Sequence, residues 1–287
     1  MPVHVVTDSV ASMPSHYLER FGIEVVPLFV NDGDRHEVDG EIDHDSFYRR
    51  LADMSHIPTS SQPSVESFVT AFGDAVRRGQ DVVGVFISEK MSGTFQTAQM
   101  AAEMVLEQMP HARIEIVDSR SNSMQEGFAA LAAAKAAQAG ESVEQCVAAA
   151  IETTKRTRYL FTPDTLEYLR RGGRIGAAGA LLGTLLQIRP ILTVSDGETT
   201  TFAKVRTTSR ALSEMARTFG DEKEKYGLRQ VVVHYIADRA AAETFAREQI
   251  EPIVGAEVEI VPVSPVIGVH VGPAVALAYE TERELPA

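Results

Sequence analysis

Apolar positions along this chain alternate between two periods. Short runs rich in β-branched residues, "VHVV", "EVVPLFV", "VVGVFIS" and "IEIVD", predict strands in the first half. The third is followed by Phe95, Met100, Met104 and Val105 at helical spacing, and the fourth by "MQEGFAALAAAKAAQA", which Gly140 closes. Ser142-Val-Glu-Gln145 has the spacing of a capping box and opens a helix to about Thr157. In "TPDTLEYLRRGG", Thr162 as N-cap and Pro163 at the first helical position predict a helix that Gly172-Gly173 stops. "AGALLGTLLQI" reads as a short helix, apolar nearly all round. "ILTVSDGETTTFAKV" reads as a hairpin turning at Asp196-Gly197. A helix from about Ser209 to Phe219, the strand "QVVVHYI", a helix from Arg239 to Ile250 and the strand "VEIVPV" follow. "SPVIGVHVGPAVALAYE" completes the pattern.

Strands alternating with helices imply an α/β protein with a largely parallel sheet. A boundary near Tyr159 divides it into two α/β domains, residues 1–158 and 159–287. In open α/β sheets ligands sit at the carboxyl ends of the strands. Asp8-Ser9, the turn from Ser88 to Thr94, and Asp118-Ser119 are therefore candidates to share one edge. Helix capping accounts for the same residue types equally well.

Composition narrows the chemistry. With 44% hydrophobic and 23% charged residues the chain is an ordinary globular protein. Its net charge of −13 argues against a nucleic-acid partner, which needs a basic surface. A single cysteine, Cys146, excludes an internal disulfide and a cysteine metal cluster. No apolar run approaches the ~18 residues of a membrane span, and the chain opens directly on a strand, so no stable membrane insertion and a cytoplasmic location are expected. Walker-type and G-x-G-x-x-G loops are missing, as is any metal-ligand spacing, so neither a cofactor nor a bound nucleotide is expected. Ser92, flanked at two residues by Lys90 and Thr94, lacks the glycines of a nucleophile elbow. Its hydroxyl, between a strand and a helix, is a nucleophile, an anion donor or a cap.

Four stretches carry more chemistry than a scaffold requires. "PTSSQPS" is a hydroxyl-dense loop with a rigid Gln62-Pro63 turn; "KMSGT" opens a helix where an anion can sit; "LRRGGRIG" gathers arginines at a helix stop; "VIGVHVGP" sets His270 among apolar residues. Taken singly, each has a plain structural reading: a capped loop, an N-cap, a solvated basic turn, a core histidine.

Taken together and in order, with "VTDSVASMP", "ISEKMSGTFQTA", "VDSRSNSMQEG" and "DTLEYLRRGGRIGAAGALLGTLLQIRPIL", they resemble the DegV family of bacterial fatty-acid-binding proteins, the lipid-presenting subunits of fatty acid kinase. The resemblance covers essentially the whole chain. It implies two α/β domains with a lipid tunnel between them, and a non-catalytic role. The carboxylate of one long-chain fatty acid would be held by Ser92, with Gly93 and Thr94, and by Ser60, with Ser61 as neighbour. The family often has Thr where this chain has Ser60. The family's histidine maps onto His270 and its arginines onto Arg174 and Arg206, and a protonated His270 or Arg206 would compensate the charge. Arg170, Arg171 and Arg174 would face a separate ATP-binding fatty acid kinase subunit. Leu181, Leu182, Leu185 and Ile267, with Val266, Val269 and Val271, are the expected tunnel wall. Two alternatives remain: a serine-dependent acyl hydrolase using Ser92 and His270, and a binder of a small dihydroxyacetone-like ligand.

Overall fold

A computed structural model of the chain describes residues 1–54, 56–182 and 188–286. The first half runs β1 (Val3–Asp8), α1 (Ser15–Phe21), β2 (Glu24–Val26), β3 (Phe29–Asp32), β4 (Arg35–Val38), α2 (His44–Asp53) and β5 (Thr59–Ser61). It continues through α3 (Val65–Arg77), β6 (Asp81–Phe86), α4 (Thr94–Gln108), β7 (Ile114–Asp118), α5 (Ser123–Gln138) and α6 (Val143–Thr154). The second half runs β8 (Thr157–Pro163), α7 (Glu167–Arg171), β9 (Arg189–Ser195), β10 (Glu198–Val205), α8 (Thr208–Tyr226) and β11 (Gln230–Ile236). After α9 (Arg239–Phe245) and α10 (Glu251–Val254) come β12 (Glu259–Pro262), α11 (Pro265–Val271) and β13 (Ala274–Glu280).

Strands β2-β1-β6-β7 form a wholly parallel sheet. Successive strand residues face opposite sides, so Val5 packs with α5 and α6 while Val6 packs with Phe68, Phe72 and Ala98 of α3 and α4. Their carboxyl ends share an edge, as expected. The Asp8 carboxylate accepts the Ile87 N–H at 3.0 Å, and the Ser119 N–H donates to Phe86 O at 3.0 Å.

"EVVPLFV" is not one strand. Pro27 has no N–H to give a ladder, so β2 stays in the parallel sheet while β3 crosses into a separate antiparallel sheet, β4-β3-β5. The second half departs further from expectation. Its six-stranded sheet, β10-β9-β8-β13-β11-β12, is antiparallel except between β11 and β12. A parallel neighbour needs a crossover helix, and here α9 and α10 span that one connection. The strands of this sheet begin at Thr157, so the expected boundary falls inside β8.

The Asp196-Gly197 turn takes φ of +51° and +80°, as a two-residue hairpin requires, and Ser142 and Gln145 make the reciprocal bonds of a capping box. Thr162 and Pro163, in contrast, cap nothing. They continue β8 opposite Val275 and Ala274, and the Thr162 hydroxyl donates to Pro190 O at 3.0 Å. Sheet pairing outweighs the local cap signal, and the helix that follows is only α7. Gly176–Leu181 forms a 3₁₀ helix; much of the remaining "AGALLGTLLQI" helix, Leu185 included, lies outside the described residues. The α8 helix extends well beyond Phe219, and the helix from Arg239 turns to π geometry at Ala246–Ile250.

Buried polar bonds tie the halves together around α11. Ser264 Oγ donates to Asp39 at 2.6 Å, and the Ser264 N–H to Ser12 Oγ at 3.0 Å. Gly268 lets the Tyr48 ring lie directly on the helix, where a Cβ would stand 2.1 Å from the phenol oxygen. Among the described residues no helix is long and apolar enough to cross a membrane.

Candidate functional site

Ser60 is the middle residue of β5, opposite Val30. Strand alternation turns it inward and leaves Thr59 and Ser61 exposed. Ser60 Oγ lies 2.7 Å from His270 Nε2 in the last turn of α11. Gly172 admits the imidazole from the other side: a Cβ there would sit 2.2 Å from Nδ1. That nitrogen is buried without a hydrogen-bond partner among the described residues. Burial first, and then the charge of Arg174, push His270 down to about 4. With these neighbours the ring is neutral at neutral pH, and Arg174 is the charged group beside it.

Ser92 stands in the turn between β6 and α4. The Ser92 N–H donates to Ser88 O at 3.1 Å, and the Ser92 hydroxyl pairs with that of Thr94 at 2.9 Å. Gln62 of the neighbouring loop lies against Gly93, where a Cβ would come 2.2 Å from its amide oxygen, and its Nε2 donates to Thr97 Oγ1 at 2.6 Å. The two hydroxyl loops are thus clamped by a glutamine that sequence reading credited only with a turn. Arg174 completes the frame, donating from Nε to Met91 O at 3.0 Å and from Nη1 to Gly172 O at 2.7 Å.

These groups face an internal cavity of about 50 Å³. Ser60, Ser92, Asn122, Arg174, Thr199 and His270 supply its polar lining; Leu28, Ile87, Met91, Tyr159, Phe161, Leu169, Val266, Ile267 and Val271 supply the rest. A larger cleft of about 490 Å³ opens beside Asp39 and Glu259. Its buried Asp39 is committed to Ser264 and Val266, so the smaller cavity is the candidate site.

The other expected residues fall elsewhere. Ile267 lines the cavity, but Leu181 packs in the adjoining core and Leu182 is 40% exposed. Leu182 fails as wall because the 3₁₀ helix ends there in extended backbone. Val269 is core rather than lining. Arg206 follows β10, exposed and outside the lining. Arg170 and Arg171 are exposed and held by Glu167 on their own helix, whose carboxyl they pull down to about 2. Most of the wall, Tyr159 and Phe161 from β8 with Leu28 and Leu169, was not foreseen, since apolar residues carry no mark separating cavity from core.

An apolar cavity with hydroxyl donors and a guanidinium at one end suits an anion with a hydrophobic tail. It does not suit Ser92 hydrolysis. His270 meets Ser60 rather than Ser92, and among the described residues no carboxylate orients its Nδ1 as in a catalytic triad. Among the described residues no three His, Cys, Asp or Glu side chains gather as metal ligands.

The model of the DegV family, described as "Uncharacterised protein, DegV family", matches residues 2–282, and the chain belongs to that family. A DegV domain-containing protein of Clostridium acetobutylicum is 43% identical, over 99% of this chain and 100% of its own. Two solved structures superpose across the molecule. DegV of Bacillus subtilis, described as a fatty acid binding protein, is 30% identical with a TM-score of 0.87, covering 98% of this chain and 99% of that one. A stearic acid-binding protein of Eubacterium ventriosum is 27% identical with a TM-score of 0.88, covering 98% of both chains.

Proposed function

We propose that this chain binds one long-chain fatty acid between two domains. It presents the carboxylate to a separate ATP-binding kinase subunit, which forms the acyl phosphate in the cytoplasm. The observation that carries the reading is that Ser60, Ser92, His270 and Arg174 line one cavity together with a largely apolar wall. The fatty acids bound by the similar Bacillus and Eubacterium proteins support it.

The two ends of the ligand make different demands. Burying the tail contributes ~0.8 kcal/mol per methylene, on the order of 10 kcal/mol for a long chain, against a loss of rigid-body freedom of ~4–15 kcal/mol. The tail supplies affinity and the head supplies orientation. A buried carboxylate needs donors and a compensating charge. With the proton on Nε2, neutral His270 donates to Ser60 Oγ and leaves the serine O–H free for the ligand. Arg174 supplies the charge.

A cavity of about 50 Å³ is room for only a few water molecules. Admitting an acyl chain requires the lining side chains to part. That volume is the one observation favouring the second reading, a short polar ligand of the dihydroxyacetone type.

Native mass spectrometry of the purified chain, followed by organic extraction, separates the two. The expected result is a stoichiometric adduct released as free fatty acid. A chain free of lipid that takes up none when it is added overturns the reading. For the second step, lipid-loaded chain with ATP and the kinase subunit should yield acyl phosphate, trapped as a hydroxamate. Bound lipid without product would remove the presenting role and leave the binding.

A further inference from the structure

Asn122 faces the same cavity with no role assigned to it. It precedes α5, where an asparagine ordinarily accepts a first-turn N–H, yet among the described residues its side chain makes no capping bond. Its backbone is fully extended, φ −153° and ψ −177°, and Ser123 after it takes φ +51°, a conformation non-glycine residues rarely adopt. The kink turns the amide inward, leaving the residue 7% exposed. Ser123 Oγ lies 3.0 Å from Asn122 Oδ1 and 3.5 Å from the Tyr159 hydroxyl, while the other end of the amide, Nδ2, meets Met91 of the cavity lining. Nδ2 donates to Met91 Sδ at 3.3 Å, and a thioether is a weak acceptor. The strong donor of a buried amide is thus parked on a poor partner, one residue from Ser92.

We infer that Asn122 Nδ2 is a further donor to the ligand's carboxylate, and that Met91 is the partner it leaves when the ligand arrives. The inference rests on the fatty-acid reading. An ionised carboxylate only accepts, with about four lone-pair sites, so Ser60 and Ser92 leave capacity for another donor. With Oδ1 against Ser123 and Nδ2 against a weakly accepting thioether, the end of this side chain free to change partner is its donor. An ionised acid, with two oxygens that accept from several donors at once, gains more from this amide than a fatty alcohol, whose single oxygen can already pair with the Ser60 and Ser92 hydroxyls.

The test titrates delipidated protein with hexadecanoate and with hexadecanol. Asn122→Leu should weaken hexadecanoate about tenfold and change hexadecanol little. Asn122→Asp should weaken it further at pH 8 and recover as the pH falls toward 5, a pH dependence that a merely structural role would not show. Native affinity in Asn122→Leu, or an Asn122→Asp loss equal at both pH values, overturns the inference. A native chain that takes up no hexadecanoate overturns the fatty-acid reading and this one with it. Side-chain amide NMR of the native protein needs no variant: the Asn122 resonances should shift on adding hexadecanoate, and unmoved resonances with lipid bound overturn the assignment.

Discussion

Two histidines lie in the interior, and burial pushes both imidazoles down to about 4. His234, in β11, uses both nitrogens: Nδ1–H donates to Val261 O at 3.0 Å, and Nε2 accepts the Met124 N–H at 3.3 Å. His270 leaves Nδ1 unpartnered among the described residues and gives Nε2 to a serine facing a cavity. The contrast teaches that burial alone does not mark a site. A fully satisfied buried group fixes the fold, whereas a half-satisfied one shows where a further partner belongs. Substitution should separate the two cleanly. His234→Ala strands a buried N–H and a carbonyl and opens a cavity, and we expect a loss of about 3–5 kcal/mol in urea unfolding. His270→Ala should cost about 1 kcal/mol or less of stability while lowering fatty-acid affinity by about tenfold or more. Equal stability losses would erase the distinction.

Acidity sharpens the same comparison. A histidine whose folded pKa lies below its ordinary 6.5 contributes stability that is present above pH 6.5 and lost as pH falls toward 4; for His234 this is about 3 kcal/mol. Asp8 has the opposite sign. Burial, opposed by the Ile87 and Val10 amides, raises it from 3.8 to about 7, so its contribution is full below pH 3.8 and lost as pH rises through 7. Unfolding followed across pH should show both limbs. His234→Gln should flatten the acid limb between 6.5 and 4, and Asp8→Asn the rising-pH limb between 3.8 and 7. A profile unchanged by either substitution would refute these linkages.

At the head of the cavity the expected effects are smaller. A hydrogen bond to a charged group contributes about 1.5–3 kcal/mol. Ser60→Ala should therefore weaken fatty acid about tenfold, and Ser92→Ala less, because the Thr94 hydroxyl stands 2.9 Å away to substitute for it. Ser61→Ala, on the outer face of β5, should leave titrations unchanged. In a Ser60→Ala/His270→Ala double variant the losses should fall short of additive, since the two side chains share one bond.

What sequence made legible was local: the Asp196-Gly197 turn, the Ser142 capping box, and strand ends whose short polar turns gather on one edge. Long-range pairing was not. Nothing local tells that Thr162 continues a strand because β13 returns beside it, or that β5 exists at all, and only that strand decides which of Ser60 and Ser61 faces inward. The hydroxyl motifs, His270 and Arg174 could be located from sequence because their chemistry is unusual for their surroundings. The apolar wall could not, since Tyr159 and Phe161 look like any buried strand. Asn122 was hidden for the opposite reason: it occupies a position where asparagine normally caps, and its departure from that role depends on the left-handed Ser123 beside it.

The smallest expected effect on lipid binding divides the arginines of "LRRGGRIG". Arg170 and Arg171 share the exposed Glu167 carboxylate on their own turn and are not among the lining residues, whereas Arg174 reaches Met91 and lines the cavity. Exposed pairs of this kind are screened by salt and contribute little to stability. The double reversal Arg170→Glu/Arg171→Glu should thus leave fatty-acid affinity within about twofold and the melting temperature nearly unchanged. If those two side chains form the kinase-facing surface, turnover with the kinase subunit should fall steeply, and more so at low salt. Arg174→Ala should do the reverse, lowering lipid affinity first and turnover only in proportion. Parallel losses in both variants and both readouts would mean that one basic patch serves a single purpose, and that docking and charge compensation are not separate tasks in this loop.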